Sequence, residues 1–368
     1  VYISTLKLHN FRNLKNQEVS FEPGINLIVG KNGQGKTNLI EAVDFLSNSK
    51  SFRTNTVREL INWQEESLSV FATIHQSIGT VELGLSLERG RKKAYLNGEA
   101  VNRFQDYLGQ LVCVSFSPSD IGLIKDGPQG RRKFIDRHIV DLKPSFIVEL
   151  LNYNQALKSK NNLLKNGISR PAELDPWDTI LSEAGARIRI ERRKFLSNLE
   201  VIAHKFYQNL SQTDGPLKLA SGVEYKSREP EIFDNEKHEL FEQLQLTRPQ
   251  QARQRQTLVG PHRDNIFIYL GEHDSRVFAS QGQSRSLVLC LKLAVIELLE
   301  EKTTDSPVIL LDDVDSELDS GRREAFFSSA LQEKNRQIFI TTTDARDDYY
   351  ESLKEHRTLR LEEGKIAV

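Results

Sequence analysis

Residues 29 to 37, Val-Gly-Lys-Asn-Gly-Gln-Gly-Lys-Thr, fit the pattern G-x-x-x-x-G-K-[ST], with Gly30, Gly35, Lys36 and Thr37 in the fixed places. The chemistry this spacing serves is the binding of a polyphosphate. Gly30, Gly33 and Gly35 allow a tight turn that brings backbone N–H groups against phosphate oxygens. Lys31, Asn32, Gln34 and Asn38 fill the rest of the stretch expected to line a nucleotide. Lys36 should reach the β- and γ-phosphates, and the Thr37 hydroxyl should bind Mg²⁺. The flanking segments have the form the motif needs. Ile25 to Val29 reads as a buried strand entering the loop, and Leu39, Ile40, Val43 and Leu46 recur at helical spacing after it. The positive end of that helix would face the phosphates.

Three further pieces follow in a set order. Val308 to Leu311 is a continuous apolar run ending in Asp312-Asp313, a Walker-B arrangement. There Asp312 would hold Mg²⁺, and Asp313 would be the base that orients and deprotonates the attacking water. Alone, a strand end with solvated acids would look the same. Ser280-Gln281-Gly282-Gln283-Ser284-Arg285 opens a helix that is apolar nearly all round from Leu287 to Leu299 and is therefore expected to be buried. An ordinary serine N-cap reads identically. Ser316-Glu317-Leu318-Asp319 comes just after the aspartates. Ser280, Gly282, Gln283 and Arg285 resemble the signature motif of the ABC ATPase superfamily, which completes the nucleotide site of an opposite subunit. Ser316 and Asp319 are similar to its D-loop. The switch position of that superfamily, usually histidine, falls on Thr343. Two departures stand out: Asp-Asp in place of Asp-Glu, and no glutamine after the strand ending Phe116-Ser117-Pro118.

The elements that must position these residues divide the chain three ways. Residues 1–117 read as strands around the phosphate loop, with an antiparallel meander at Leu68–His75, Thr80–Leu87 and Lys92–Leu96. Residues 118–250 are mostly helical. One helix presents Ile147, Leu150, Leu151, Asn154 and Leu157, and a second runs from about Thr179 to Leu210 with Ile180 in its stripe, separated from the first by Pro171 and Pro176. Residues 251–368 return to strands, including Arg276–Phe278 and a closing pair around Gly364. The fold class is α/β, with mixed sheets, flanking helices and an inserted helical arm.

With 50 Lys and Arg against 51 Asp and Glu, the net charge is −1, so any nucleic-acid surface must be local. Arg131, Arg132 and Lys133 form one basic cluster, and Arg187, Arg192 and Arg193 belong to another on the long helix. They read equally as DNA-phosphate contacts or as a solvated face paired with Glu183, Glu191 and Glu200. Arg53 reads either as a phosphate contact or as a solvated loop residue. No apolar run approaches the ~18 residues of a membrane span. Cys113 and Cys290, the two cysteines, read as buried thiols of a reducing cytoplasm, and the N-terminus reads as a strand and not as a signal peptide.

Over its full length the chain resembles the RecF family of bacterial recombination mediators. The resemblance rests on Asn10-Phe11-Arg12-Asn13, Gly30–Thr37 with Asn38-Leu39-Ile40-Glu41-Ala42, Ser51-Phe52-Arg53 and Phe116-Ser117-Pro118. It extends to Arg131–Asp136, Thr257-Leu258-Val259-Gly260-Pro261-His262-Arg263-Asp264, and the 310–319 block. It implies an ABC-type head like those of SMC proteins with a short helical arm. It also implies ATP and Mg²⁺ as cofactors, an ATP-dependent homodimer on double-stranded DNA or single-strand/double-strand junctions, and weak DNA-dependent ATP hydrolysis. The implied partners are RecR, RecO and RecA, acting in recombinational repair and replication restart. It favours DNA contact by the basic clusters. A transporter ATPase subunit and an ATPase-coupled nuclease are the alternative readings.

Overall fold

The computed structural model describes residues 1–54, 56–210, 215–221, 232–313, 336–343 and 356–367. The expected D-loop, Ser316 to Asp319, lies outside the described residues. The chain forms two compact units: Val1–Ile121 with Phe206–Leu210 and Gln281–Val368, and Gly122–Lys205 with Ser211–Ser280. Residues 251–280, expected to open the third segment, therefore pack in the second unit.

The first unit holds two six-stranded sheets. One is antiparallel throughout, in the order Gln17–Ser20, Tyr2–His9, Ser67–Gln76, Gly79–Glu88, Arg91–Leu96, Glu99–Ala100. Its alternation buries Leu68, Val70, Ala72 and Ile74 and turns Ser67, Ser69, Phe71 and Thr73 outward. Two of its hairpins close at Arg89-Gly90 and Asn97-Gly98, each pair at positive φ, which matches the twist of the flanking strands. The other sheet runs Lys365–Ala367, His356–Glu362, Ile25–Val29, Ile338–Thr342, Val308–Leu311, Cys113–Phe116. It is parallel except at its first pair. Its central strands are buried on both faces, hence the continuous apolar runs. Helix Lys36–Asn48 packs between the two sheets, and every residue from Leu39 to Ser47 is buried. Helix Gln281–Lys302 is buried nearly all round, as its sequence predicts. Its Lys292 ammonium is tied to the Ser115 carbonyl and the Asp120 carboxylate, at the end of strand Cys113–Phe116.

The second unit is mostly helical: Pro128–Leu142, Phe146–Lys165, most of Pro171–Leu210, Ile232–Leu246 and Arg248–Gln254, with a three-stranded antiparallel sheet. Several expectations change here. The long helix starts at Pro171, where a proline costs no intrahelical hydrogen bond, and carries Pro176 inside it. The buried face of Phe146–Lys165 is Phe146, Tyr153, Ala156, Lys160 and Leu164, while Leu151 and Ile180 are exposed. Arg276–Phe278 is helical and not a strand, because the Asp274 side chain accepts from the Arg276 N–H and caps a short turn.

The largest correction concerns the arginines. Arg189 is buried, with a bidentate pair to Asp264 at 2.7 and 2.8 Å and a third contact to Glu236 at 3.0 Å. Arg192 is bidentate to Asp136 at 2.7 and 2.8 Å and donates to the Pro261 carbonyl. Arg193 pairs with Glu236. Arg187 pairs with Glu149 and Glu183 and lies over the Phe233 ring. Arg131 is buried on the carbonyls of Leu123, Ile124 and Asp126 and on Asn265, and Arg132 donates to the Asp264 carbonyl. These guanidiniums hold helices together, and Lys133, the remaining one of the six expected DNA residues, is exposed. The 257–264 block anchors three of the guanidiniums, Arg132, Arg189 and Arg192. Asn161 accepts from the Thr257 N–H and hydroxyl, and His262 accepts from Tyr153 at 2.6 Å and donates to the Thr257 carbonyl.

His262 is held neutral by its burial. Burial pushes its pKa down to about 4, and Arg263 acts in the same sense, while the Thr257 carbonyl and Asp264 oppose. The unfolded chain, with an ordinary value of 6.5, takes up the proton more readily. This contribution to stability is complete above pH 6.5 and is lost as pH falls toward 4. Between pH 7 and pH 5 the wild type should lose about 2 kcal/mol from this group. His262→Gln, which cannot titrate, should show a correspondingly flatter pH dependence of its urea midpoint.

Candidate functional site

The phosphate loop joins strand Ile25–Val29 to helix Lys36–Asn48. Gly35 stands at the helix N-cap with φ +112, and Gly33 has φ +81. Lys31, Asn32 and Gly33 are exposed. Gly30 needs its missing side chain for a different reason: a Cβ there would lie 2.4 Å from the Leu361 carbonyl oxygen. The closing hairpin thus packs directly on the loop. Gly364 N–H donates to the Gln34 carbonyl at 3.1 Å, and Glu363 N–H to the Gln34 side chain.

The structure brings the first two motifs together. Parallel pairing sets Ile309 beside Ile338 and Ile338 beside Ile25, so Asp312 ends its strand near the start of the first helix. Thr37 Oγ1 donates to Asp312 Oδ1 at 2.8 Å. Thr341 Oγ1 donates to the same oxygen at 3.0 Å and accepts from the Asp313 N–H at 2.9 Å. Asp313 sits in the left-handed region at φ 51, which a short polar side chain tolerates. Burial raises the Asp312 pKa and Asp313 raises it further, while the two hydroxyls and Arg53 oppose. Burial lowers that of Lys36, against the pull of Asp313 and Asp312. Lys36 Nζ donates to the carbonyls of Gly30 and Lys31. The Thr37 hydroxyl beside the Asp312 carboxylate, whose charge is penalised by burial, makes an all-oxygen donor set that fits Mg²⁺.

A second group flanks the other side of the first helix turn. Glu41, fully buried, takes a bidentate pair from Arg12 at 2.7 and 2.9 Å, and also accepts from Ser51 and Arg53. Arg53 donates to Asn38 Oδ1 at 2.8 Å, Asn38 to Asn13 Oδ1 at 2.7 Å, and Asn13 to the Gln34 carbonyl at 3.0 Å. Arg53 is therefore anchored to the helix and is not a freely solvated loop residue. Asn13, Arg12, Glu41 and Thr341 had no individual role in the sequence reading. The signal for the first three was their place in the two family-like blocks that flank the loop, 10–13 and 38–42; the signal for Thr341 was strand register, which no single sequence displays. Ser280 is exposed immediately before helix Gln281–Lys302, with Gly282, Gln283 and Arg285 in its first turns. Thr343 is exposed just past strand Ile338–Thr342.

Gly30→Ala should force loop and hairpin apart and lower stability by about 1–3 kcal/mol. Gly33→Ala meets open space and should cost only the left-handed backbone term, about 1–2 kcal/mol. Urea unfolding of both variants, with nucleotide affinity, measures the difference: Gly30→Ala should lose affinity with stability, since the Cβ displaces the loop itself.

No described helix is long and apolar enough to cross a membrane. The family model for the RecF/RecN/SMC N-terminal domain matches residues 2–365. A DNA replication and repair protein RecF of Streptococcus pneumoniae (strain CGSP14) is 37% identical over 374 residues, covering 100% of this chain and 99% of the relative. Its counterpart in Bacillus mycoides (strain KBAB4) is 34% identical over 370 residues, covering 100% and 98%. Among solved structures, a recombination mediator protein RecF with ATP, of the RecFOR pathway, superposes with a TM-score of 0.91 at 34% identity, covering 100% and 97%. An Smc head bound to the C-winged helix domain of ScpA superposes at 0.56 and 18% identity over 100% and 97%, a likeness of fold. With the phosphate loop, the carboxylate strand and the ABC ATPase head all in place, the chain belongs to the RecF family of the RecF/RecN/SMC group.

Proposed function

We propose that this chain is an ATP-dependent DNA-binding protein of recombinational repair and replication restart in the cytoplasm. ATP draws two copies together on duplex DNA or at a gap junction, where they help RecR and RecO load the recombinase RecA. Slow hydrolysis then resets the dimer. The observation that carries the reading is the 2.8 Å contact between the Thr37 hydroxyl and the Asp312 carboxylate. It joins the residues a triphosphate and its Mg²⁺ need, in a chain whose full-length relatives are RecF proteins, one of them solved with ATP. That kinship favours this reading over a transporter subunit or an ATPase-coupled nuclease.

Each side chain has a distinct task. Backbone N–H groups of 30–38 cradle the phosphates, and Lys36 is the main point charge on the β- and γ-phosphates. Thr37 and Asp312 would hold Mg²⁺, which supplies charge neutralisation at the β- and γ-oxygens when bound. Asp313 accepts the proton of the attacking water. Thr341 holds both ends of the pair, bonding the Asp312 carboxylate and the Asp313 N–H. Ser280 and Gly282 complete the partner's site, with Gln283 and Arg285 behind them. Ser316, Asp319 and Thr343 serve the interface and the γ-phosphate.

Lys36→Ala should abolish ATP-induced dimerisation with the fold intact, read by light scattering and thermal melting. A variant that still dimerises with ATP would overturn the loop assignment. Ser280→Arg tests the shared site. Nucleotide affinity of the monomer should stay at the wild-type level, while the ATP-induced dimer and most of the hydrolysis disappear. An unchanged dimer would make 280–285 an ordinary helix cap.

A further inference from the structure

In the helical unit Arg187, Arg189, Arg192 and Arg193 are paired with carboxylates of the same unit, which turns the search for cations that meet DNA to the first unit. Four of the five residues 89–93 are cationic: Arg89, Arg91, Lys92 and Lys93. They form the tip of the hairpin between strands Gly79–Glu88 and Arg91–Leu96, in the antiparallel sheet of the first unit. Arg89 at φ 47 and Gly90 at φ 76 make a two-residue turn, which projects the tip on a short, rigid connection.

Register sorts the charges onto two faces. Leu87 pairs with Lys92, while Glu88 pairs with Arg91 and Ser86 with Lys93. Lys92 therefore shares the inner face with Leu87. Its ammonium caps the end of the first helix through the Ser49 carbonyl at 2.7 Å and hydroxyl at 3.1 Å, and it lies 6.0 Å from the Phe104 ring centroid. Arg91 and Lys93 point to the outer face, about 7 Å apart at the rise of a strand. Arg89, Arg91 and Lys93 are exposed, and their side chains make no ion pair or hydrogen bond among the described residues. Lys50 stands close enough to Lys92 for the two charges to repel, and exposed Arg103 precedes Phe104. Like charges crowded on one edge are stabilised by a polyanion laid along it. In a chain of net charge −1 such a local edge is what phosphate contact requires.

We propose that this hairpin edge, with Arg89, Arg91 and Lys93 at its front and Lys50, Lys92 and Arg103 behind, binds the phosphate backbone of duplex DNA without regard to sequence. The proposal rests on the DNA-binding reading above. Its test is fluorescence anisotropy with a 30-base-pair duplex, with ATP present, across a salt series. The variant is Arg89→Ala/Arg91→Ala/Lys93→Ala, whose side chains have no internal partners to lose. A control removes as many exposed cations from the helical unit: Lys158→Ala/Lys165→Ala/Arg170→Ala. The hairpin variant should lose at least tenfold in affinity near 0.1 M salt. Its slope of log K against log salt should be shallower by about 2 to 3, since each lost phosphate contact removes about 0.9. ATP affinity and melting temperature should match wild type, and the control should keep most of the wild-type slope. If wild type binds DNA and the hairpin variant binds with the same slope, or if the control loses as much, this surface is not the site and the DNA-binding reading still stands. If affinity falls with the slope unchanged, the loss is not one of phosphate contacts, and the proposal fails. If wild type ignores duplex DNA at every salt concentration, the functional reading itself fails.

Discussion

The nucleotide site turns on a buried carboxylate. An ionised aspartate removed from water costs several kcal/mol. Two hydroxyl hydrogen bonds to a charged group return about 1.5–3 kcal/mol each, so the account for Asp312 stands near balance. The remaining deficit shows as an upward pKa shift, and a divalent cation is the species that relieves it. Thr37 comes from the first turn of helix Lys36–Asn48 and Thr341 from strand Ile338–Thr342, so the carboxylate also locks the end of the phosphate loop to the strand end. Remove the parallel register of strands 25–29, 338–342 and 308–311 and the three oxygens do not meet.

The loop is held on three other sides by contacts that specify its shape. Asn13 and the 363–364 turn grip Gln34, Leu361 abuts Gly30, and the Arg12–Glu41–Arg53 cluster fixes the first turns of the helix. Glu41 has no exposed surface, and three donors satisfy its two oxygens. A fully satisfied buried network is rigid, and loss of one partner leaves a charge unpaired, typically at 3–5 kcal/mol. Residues some 330 positions further along the chain thereby set the geometry of a motif that looks local.

In the second unit the same physics serves architecture. Arg189 and Arg192 each present a planar fork that matches a carboxylate at two points, and their partners come from different helices and from the 257–264 block. The block is thus a hub on which helices converge, with neutral His262 and Tyr153 filling its centre. A run of arginines on a helix carries no label for solvent or interior. The label is written by acids 47 to 75 residues away in sequence, at Asp136, Glu236 and Asp264.

Local patterns therefore carried far in this chain. The phosphate loop, its strand and helix, the meander, the buried helix 281–302 and the closing strand pair around Gly364 were all legible, because each depends on periodicity or turn chemistry within about a dozen residues. Chain order of the motifs pointed to the ABC superfamily, and residue blocks spread along the chain pointed to the family. Side-chain partnership was not legible. Thr341 on Asp312, Asn13 on Gln34 and the capture of Arg131, Arg189 and Arg192 all depend on strand register and helix packing between distant segments. The exposed stripe containing Leu151 was misread because the buried face of that helix is completed by Tyr153 and by Lys160, a charge that only Asp178 makes tolerable inside. By itself the sequence determined which elements form and what chemistry the loop can do. Which charges face solvent, and so which can meet a partner, was decided by tertiary structure, since burial and pairing of a cation are properties of its surroundings and not of its neighbours in the chain.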